Sequence, residues 1–111
     1  MMKYEVNVSY QAEQDLSEIF EYIAFELHAP ENANSQLNRI EHAIEKLEVF
    51  PEKHRQYAKE PWKSRNLRVM SVDNYCVFYI PDKETLTVTI IRVIYGGRDI
   101  DNQLEDFTEI P

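Results

Sequence analysis

Residues 66–95 read NLRVMSV-DN-YCVFYI-PDKET-LTVTIIRVIY, three runs rich in β-branched and aromatic side chains separated by two polar breaks. Such residues fit a pleated, half-buried surface, while Asp73-Asn74 and Pro81-Asp82-Lys83-Glu84 carry turn chemistry. The spacing predicts a three-stranded antiparallel meander over 66–72, 75–80 and 86–95. In the last run apolar side chains occupy both parities, with Leu86, Val88 and Ile90 on one and Ile91 and Val93 on the other. That pattern places the run inside the sheet, covered on both faces.

A sheet face needs a covering layer, and the upstream chain supplies it. Over 11–28, Ala12, Leu16, Ile19, Phe20, Ile23 and Leu27 recur at three- and four-residue spacing and line one helical stripe. Ser9 is a candidate cap. Ala33, Leu37, Ile40, Ile44 and Leu47 repeat in the same way between Pro30 and Pro51. The break around Pro30 is short, which implies an antiparallel helical hairpin. Ahead of it, residues 3–8 alternate as a half-buried strand with Tyr4, Val6 and Val8 on one face. The expected fold is α+β, in the order β-α-α-β-β-β, with the hairpin packed on one face of an antiparallel-rich sheet. One domain is expected over 1–100, followed by an acidic tail over 101–111. Glu13, Asp15, Glu18, Glu21 and Glu26 mostly fall off the apolar stripe and read as a solvated face rather than a metal site.

The chain has 111 residues, of which 43% are hydrophobic, enough for one modest core. No apolar run is long enough to span a bilayer, and the N-terminal residues lack the apolar block of a signal peptide. The single cysteine, Cys76, has no partner for an internal disulfide. These features favour the cytoplasm. The net charge is −8, but its distribution is uneven. Residues 53–68 carry six basic side chains (Lys53, Arg55, Lys59, Lys63, Arg65, Arg68) against one acidic, Glu60, whereas the flanking parts are strongly acidic. A short cationic segment on an acidic protein is either a solvated loop or an electrostatic footprint for an anionic partner.

Four segments in order give the chain a family likeness: YQAEQDLSEIFEYI at 10–23, PENA with IEKLEVFP between 30 and 51, RNLRV with NYCVFY between 65 and 79, and IIRVIYGGRD at 90–99. In this arrangement the chain resembles the RelE/ParE superfamily of small toxins from type II toxin–antitoxin systems. The resemblance implies a growth-arresting protein held silent by a cognate antitoxin. It also implies a target that is either the ribosome, where RelE-like relatives cut mRNA, or DNA gyrase, which ParE-like relatives poison. It implies no cofactor, no small-molecule substrate and no membrane partner. The alternative is a protein of the same fold that binds its antitoxin without being toxic.

Metal-free RNA cleavage needs proton transfer at the 2′-oxygen and 5′-oxygen and stabilisation of charge on the phosphate. Arginine suits the second task because its fork pairs two phosphate oxygens and keeps its charge. By the resemblance, Arg98 after Gly96-Gly97 is the leading candidate to hold a phosphate, with a salt bridge to Asp99 or Asp101 as the competing reading. Arg65 and Tyr95 complete the candidate catalytic set, Tyr95 needing a depressed pKa to act as a base. Arg55, Lys63, Arg68 and Trp62 are candidate target-binding residues. Arg68 could equally sit in a rim salt bridge, and Trp62 could equally be core or stack on a base. Arg92, in an apolar strand, reads as structural and needs an acidic partner if buried. His28, His42 and His54 form no triad or metal signature with Cys76. Two departures stand against ribonuclease chemistry: many relatives read Y-R-x-x-Y where this chain has Tyr75-Cys76-Val77-Phe78-Tyr79, so Cys76 replaces the strand arginine, and the acidic balance meets repulsion from rRNA where ribosome-entering relatives are basic. The acidic helical faces further imply that an antitoxin brings Lys or Arg together with apolar anchors.

Overall fold

The computed structural model describes residues 2–97 and 99–105. Strands β1 (Glu5–Val8), β2 (Arg68–Val72), β3 (Tyr75–Asp82) and β4 (Thr87–Tyr95) form one sheet in the order β1-β4-β3-β2. The meander β2-β3-β4 is antiparallel, and β1 runs parallel to β4 along its outer edge. The expected α+β arrangement is therefore present, with β4 in the sheet interior. The turn before β4 falls later than its residue chemistry suggested, because Pro81 and Asp82 still pair in β3. Asp82 Oδ1 then accepts the Glu84 amide at 2.9 Å.

Helices α1 (Tyr10–Glu21) and α2 (Pro30–Glu45) form the hairpin. Ser9 caps α1, its Oγ accepting from the Ala12 amide at 3.1 Å and donating to the Ile91 carbonyl at 3.1 Å. Pro30 opens α2, where its missing N–H costs nothing. Residues Tyr22–Glu26 continue α1 as a π-helical turn. The wider turn rotates the residues after it off the apolar stripe, so Leu27, expected on the buried side, is exposed.

Alternation along β3 separates two cores. Val77 and Tyr79 face the hairpin and meet Ala12, Ile40, Ile44 and Leu47. Phe78 faces the other way and meets Trp62, Leu67, Val69, Ile91, Ile94 and Leu104. That second face is covered by the 56–67 segment and by a short helix α3 (Ile100–Glu105), whose Leu104 is fully buried. A bulge at Ile91, opposite Phe78 and Tyr79, shifts the alternation of β4, so Val88, Ile90 and Val93 all enter the hairpin core while Ile91 and Ile94 enter the second.

β1 pairs only as far as Ile90, which leaves the outer edge of β4 open beyond that point. The first turns of α1 close it. The Ser9 amide donates to the Ile90 carbonyl at 3.0 Å. Asp15 Oδ2 accepts the Val93 amide at 2.9 Å and Arg92 Nε at 2.7 Å, and Asp15 Oδ1 accepts Arg92 Nη2 at 3.0 Å. Arg92 Nη1 reaches the Gln103 carbonyl of α3 at 2.8 Å. Both charged side chains are 6% exposed. Asp15 thus belongs to the interior rather than to the solvated face expected for it, and Arg92 has the acidic partner its burial requires.

Breaking a buried pair on one side strands the other charge, which costs about 3–5 kcal/mol. Asp15→Ala is expected to lower the unfolding free energy by about that amount in urea titration, whereas Asp15→Leu with Arg92→Met recovers most of it. A single-variant loss below about 1 kcal/mol, the value of an exposed pair, would contradict this placement.

Candidate functional site

After α2 the chain turns twice through short 3-10 turns, Lys46–Glu48 and Pro51–Lys53, before entering the cationic segment. The segment is tied down at its start. Arg68 Nη1 donates to the Glu52 carbonyl at 2.9 Å and the His54 carbonyl at 2.7 Å, and the Tyr79 hydroxyl donates to the Pro51 carbonyl at 2.6 Å. Arg68 thus clamps the backbone of the segment, and it forms no rim ion pair among the described residues.

Residues 55–57 then run antiparallel along β2. The Tyr57 amide donates to the Leu67 carbonyl at 2.8 Å and the Val69 amide to the Arg55 carbonyl at 3.0 Å, around a bridge between Gln56 and Arg68. This pairing puts Arg55 and Tyr57 on the same sheet face as Val69 and Phe78. The Tyr57 ring meets Phe78 edge-on at 5.7 Å. The Arg55 charge acts on both the Tyr57 hydroxyl and the Cys76 thiol, holding each down against the burial that pushes it up.

Asp101, in the first turn of α3, accepts from both the Tyr57 hydroxyl and Lys59 Nζ. Burial first, and the Asp101 carboxylate second, push the Tyr57 pKa up to about 12. Asp101 itself is held below the usual carboxylate range by hydrogen bonds from Lys59 and then Tyr57. Nothing in the sequence signalled this trio, because its members lie 42 and 44 residues apart.

Trp62 is 7% exposed and fills the second core beside Leu67. That burial leaves the ring little surface on which a base could stack. Glu60, the one acid of the segment, turns to Ser64, accepting its amide at 2.8 Å and its hydroxyl at 2.6 Å. Among the described residues, no carboxylate comes within ion-pairing distance of Lys53, Arg55, Lys63 or Arg65, all of them exposed.

Tyr95 and Arg65 are not brought together. Tyr95 pairs across to Tyr75, which pairs with Val72, whereas Arg68 pairs with Tyr79 four positions further along β3. Four strand residues span about 13 Å, and Arg65 lies beyond Arg68. Arg65 instead borders a cleft with Lys83 and Glu84 at the opposite end of β3. Tyr95 packs edge-on against Tyr75 at 5.7 Å. A Cβ at Gly97 would lie 2.6 Å from the Tyr95 ring, so a side chain there would displace that exposed ring; neither glycine has a positive φ. Arg98 lies outside the described residues.

Residues 6–100 match the family model of the ParE toxin of the type II toxin–antitoxin system parDE. The chain belongs to the ParE toxin family. Its fold is similar to that of the chromosomal ParDE toxin–antitoxin system from P. aeruginosa, at 16% identity and TM-score 0.69, covering 84% of this chain and 96% of that one. It is also similar to the toxin–antitoxin complex RelBE2 from Mycobacterium tuberculosis, at 21% identity and TM-score 0.61, covering 86% and 93%. The archaeal RelE–RelB complex from Pyrococcus horikoshii is similar at 15% identity and TM-score 0.53, covering 87% and 99%. No curated protein sequence matches. No described helix of this ParE-family chain is long and apolar enough to cross a membrane.

The Asp101 trio gives a pH signature. A carboxylate whose folded pKa is depressed contributes stability that is present above its unfolded value, near 4, and is lost as pH falls through the folded value. Asp101→Asn is therefore expected to lower stability by a constant, small amount at neutral pH. The gap to the unsubstituted protein should close below about pH 4. A gap that persists unchanged in acid would contradict the assignment of Asp101 as the acceptor.

Proposed function

We propose that this ParE-family toxin arrests growth by binding DNA gyrase through its cationic edge, without catalysis, and that a cognate antitoxin silences it in the cytoplasm. The observation that carries the reading is the charge of Lys53, Arg55, Lys63 and Arg65, left unpaired among the described residues, on a segment clamped by Arg68. A clamped segment carrying four such cations favours docking on an anionic protein or nucleoprotein surface. The proton-transfer groups that RNA cleavage requires fit poorly beside it. Tyr57 gives its hydroxyl to Asp101, Tyr95 lies at the far end of β3 from Arg65, and Cys76 stands where ribonucleolytic relatives carry the strand arginine.

The competing reading, ribosome-dependent mRNA cleavage with Arg98 on the phosphate, makes a different prediction in the same experiment. Inducible expression should arrest growth, accumulate trapped gyrase–DNA complexes and leave mRNA uncut in a purified translation reaction. Arg55→Glu with Lys63→Glu and Arg65→Glu should abolish arrest without changing the circular dichroism spectrum. Cleaved mRNA without trapped gyrase would replace this mechanism with the ribosomal one. Unimpaired growth with soluble protein present would make the chain an antitoxin-binding module instead.

A further inference from the structure

Between α2 and the cationic segment the chain turns at Phe50, against two backbone preferences. Phe50 has φ 50° and ψ 56°, in the left-handed region that a bulky side chain rarely adopts. It also precedes Pro51, a position that favours extended backbone. Its ring is then left 64% exposed. Glycine or asparagine would make the same turn more easily, and neither would put aromatic surface in water.

The ring is not what fastens this turn. Pro51 is fully buried, and its carbonyl accepts the Tyr79 hydroxyl at 2.6 Å. Arg68 takes the Glu52 and His54 carbonyls at 2.9 and 2.7 Å. The Lys53 amide closes on the Phe50 carbonyl at 3.1 Å. A residue held in a sparsely populated conformation by surroundings that over-determine it is a mark of a binding site. An exposed aromatic leading into Lys53 and Arg55 also has the chemistry of an interface anchor.

Charge near the ring separates two classes of partner. Glu48 and Glu52 stand two residues before and two residues after it. Glu48 lies 3.9 Å from Lys3, and Glu52 accepts the Tyr4 hydroxyl at 3.1 Å. Carboxylates on both sides disfavour the phosphates of a nucleic acid whose base would stack on the ring. An apolar pocket on a protein, with acidic groups beyond it for Lys53 and Arg55, matches both the ring and the cations.

We propose that Phe50 is the apolar anchor of the target-facing surface and inserts into a pocket on an acidic face of the target protein. The proposal rests on the toxin reading above and adds that the contact is made with protein rather than with DNA or RNA.

The test uses the full chain carrying Phe50→Asn, which keeps the left-handed turn and removes the ring. Its thermal midpoint is expected to stay unchanged or rise. Growth arrest on inducible expression is expected to be lost, and binding to purified DNA gyrase without DNA to weaken roughly 30-fold, the size of a hot-spot truncation. Phe50→Tyr, which keeps an aromatic ring, is expected to retain both. A midpoint lower by more than about 5 °C would make Phe50 a packing residue and overturn the proposal. Arrest retained by Phe50→Asn would overturn it too, as would binding that appears only when DNA is added. An unsubstituted chain that arrests growth without binding gyrase or cutting mRNA, while Phe50→Asn does not arrest, would sink the gyrase reading and uphold the anchor. A chain that neither arrests growth nor binds gyrase would overturn both.

Discussion

The outer edge of β4 beyond Ile90 is a row of backbone groups that β1 does not reach, and one carboxylate largely decides what happens there. Asp15 accepts the Val93 amide and both bonds of the Arg92 fork, and Arg92 extends the tie to α3 through the Gln103 carbonyl. An unsatisfied amide or an unpaired guanidinium at 6% exposure would each be costly. Satisfying them together fixes α1, β4 and α3 relative to one another.

Two surfaces of opposite charge are held on this frame. On one, the cationic segment pairs with β2 over 55–57 and is fastened on either side of that pairing, by Arg68 on the Glu52 and His54 carbonyls and by Asp101 on Tyr57 and Lys59. On the other, α1 and its π-helical turn present carboxylates and exposed aromatics around a groove. Fastening a cationic loop lowers the entropy its side chains lose on meeting a partner. The net charge of −8 hides this division, because the acidic majority lies mainly outside the 53–68 segment.

Local physics made much of the fold legible. The period-two runs marked β1 and the meander, the stripe of Ala12, Leu16, Ile19 and Ile23 marked α1, and Ser9 and Pro30 marked helix starts. What the sequence concealed is long-range. Asp15 and Arg92 are 77 residues apart, so Asp15 looked like one more acid on a solvated face. Trp62 sits among cations and looked like a stacking platform, although it fills the core beneath α3. The π-helical turn displaced Leu27 because periodicity assumes a constant pitch. The candidate site was legible as a charge cluster but not as a geometry: Arg55 and Lys63 lie on the exposed edge, Arg68 became a clamp, and Arg65 and Tyr95 lie toward opposite ends of β3.

The most direct measurement of the frame is native-state hydrogen exchange at the Val93 amide. Because that amide points away from β3 and donates to a buried carboxylate, it should exchange only through global unfolding, with the same free energy as the protected amides of β3. Exchange at Val93 on the timescale of an open strand edge, while β3 stays protected, would mean that Asp15 does not close the sheet and that the two surfaces lack a common support.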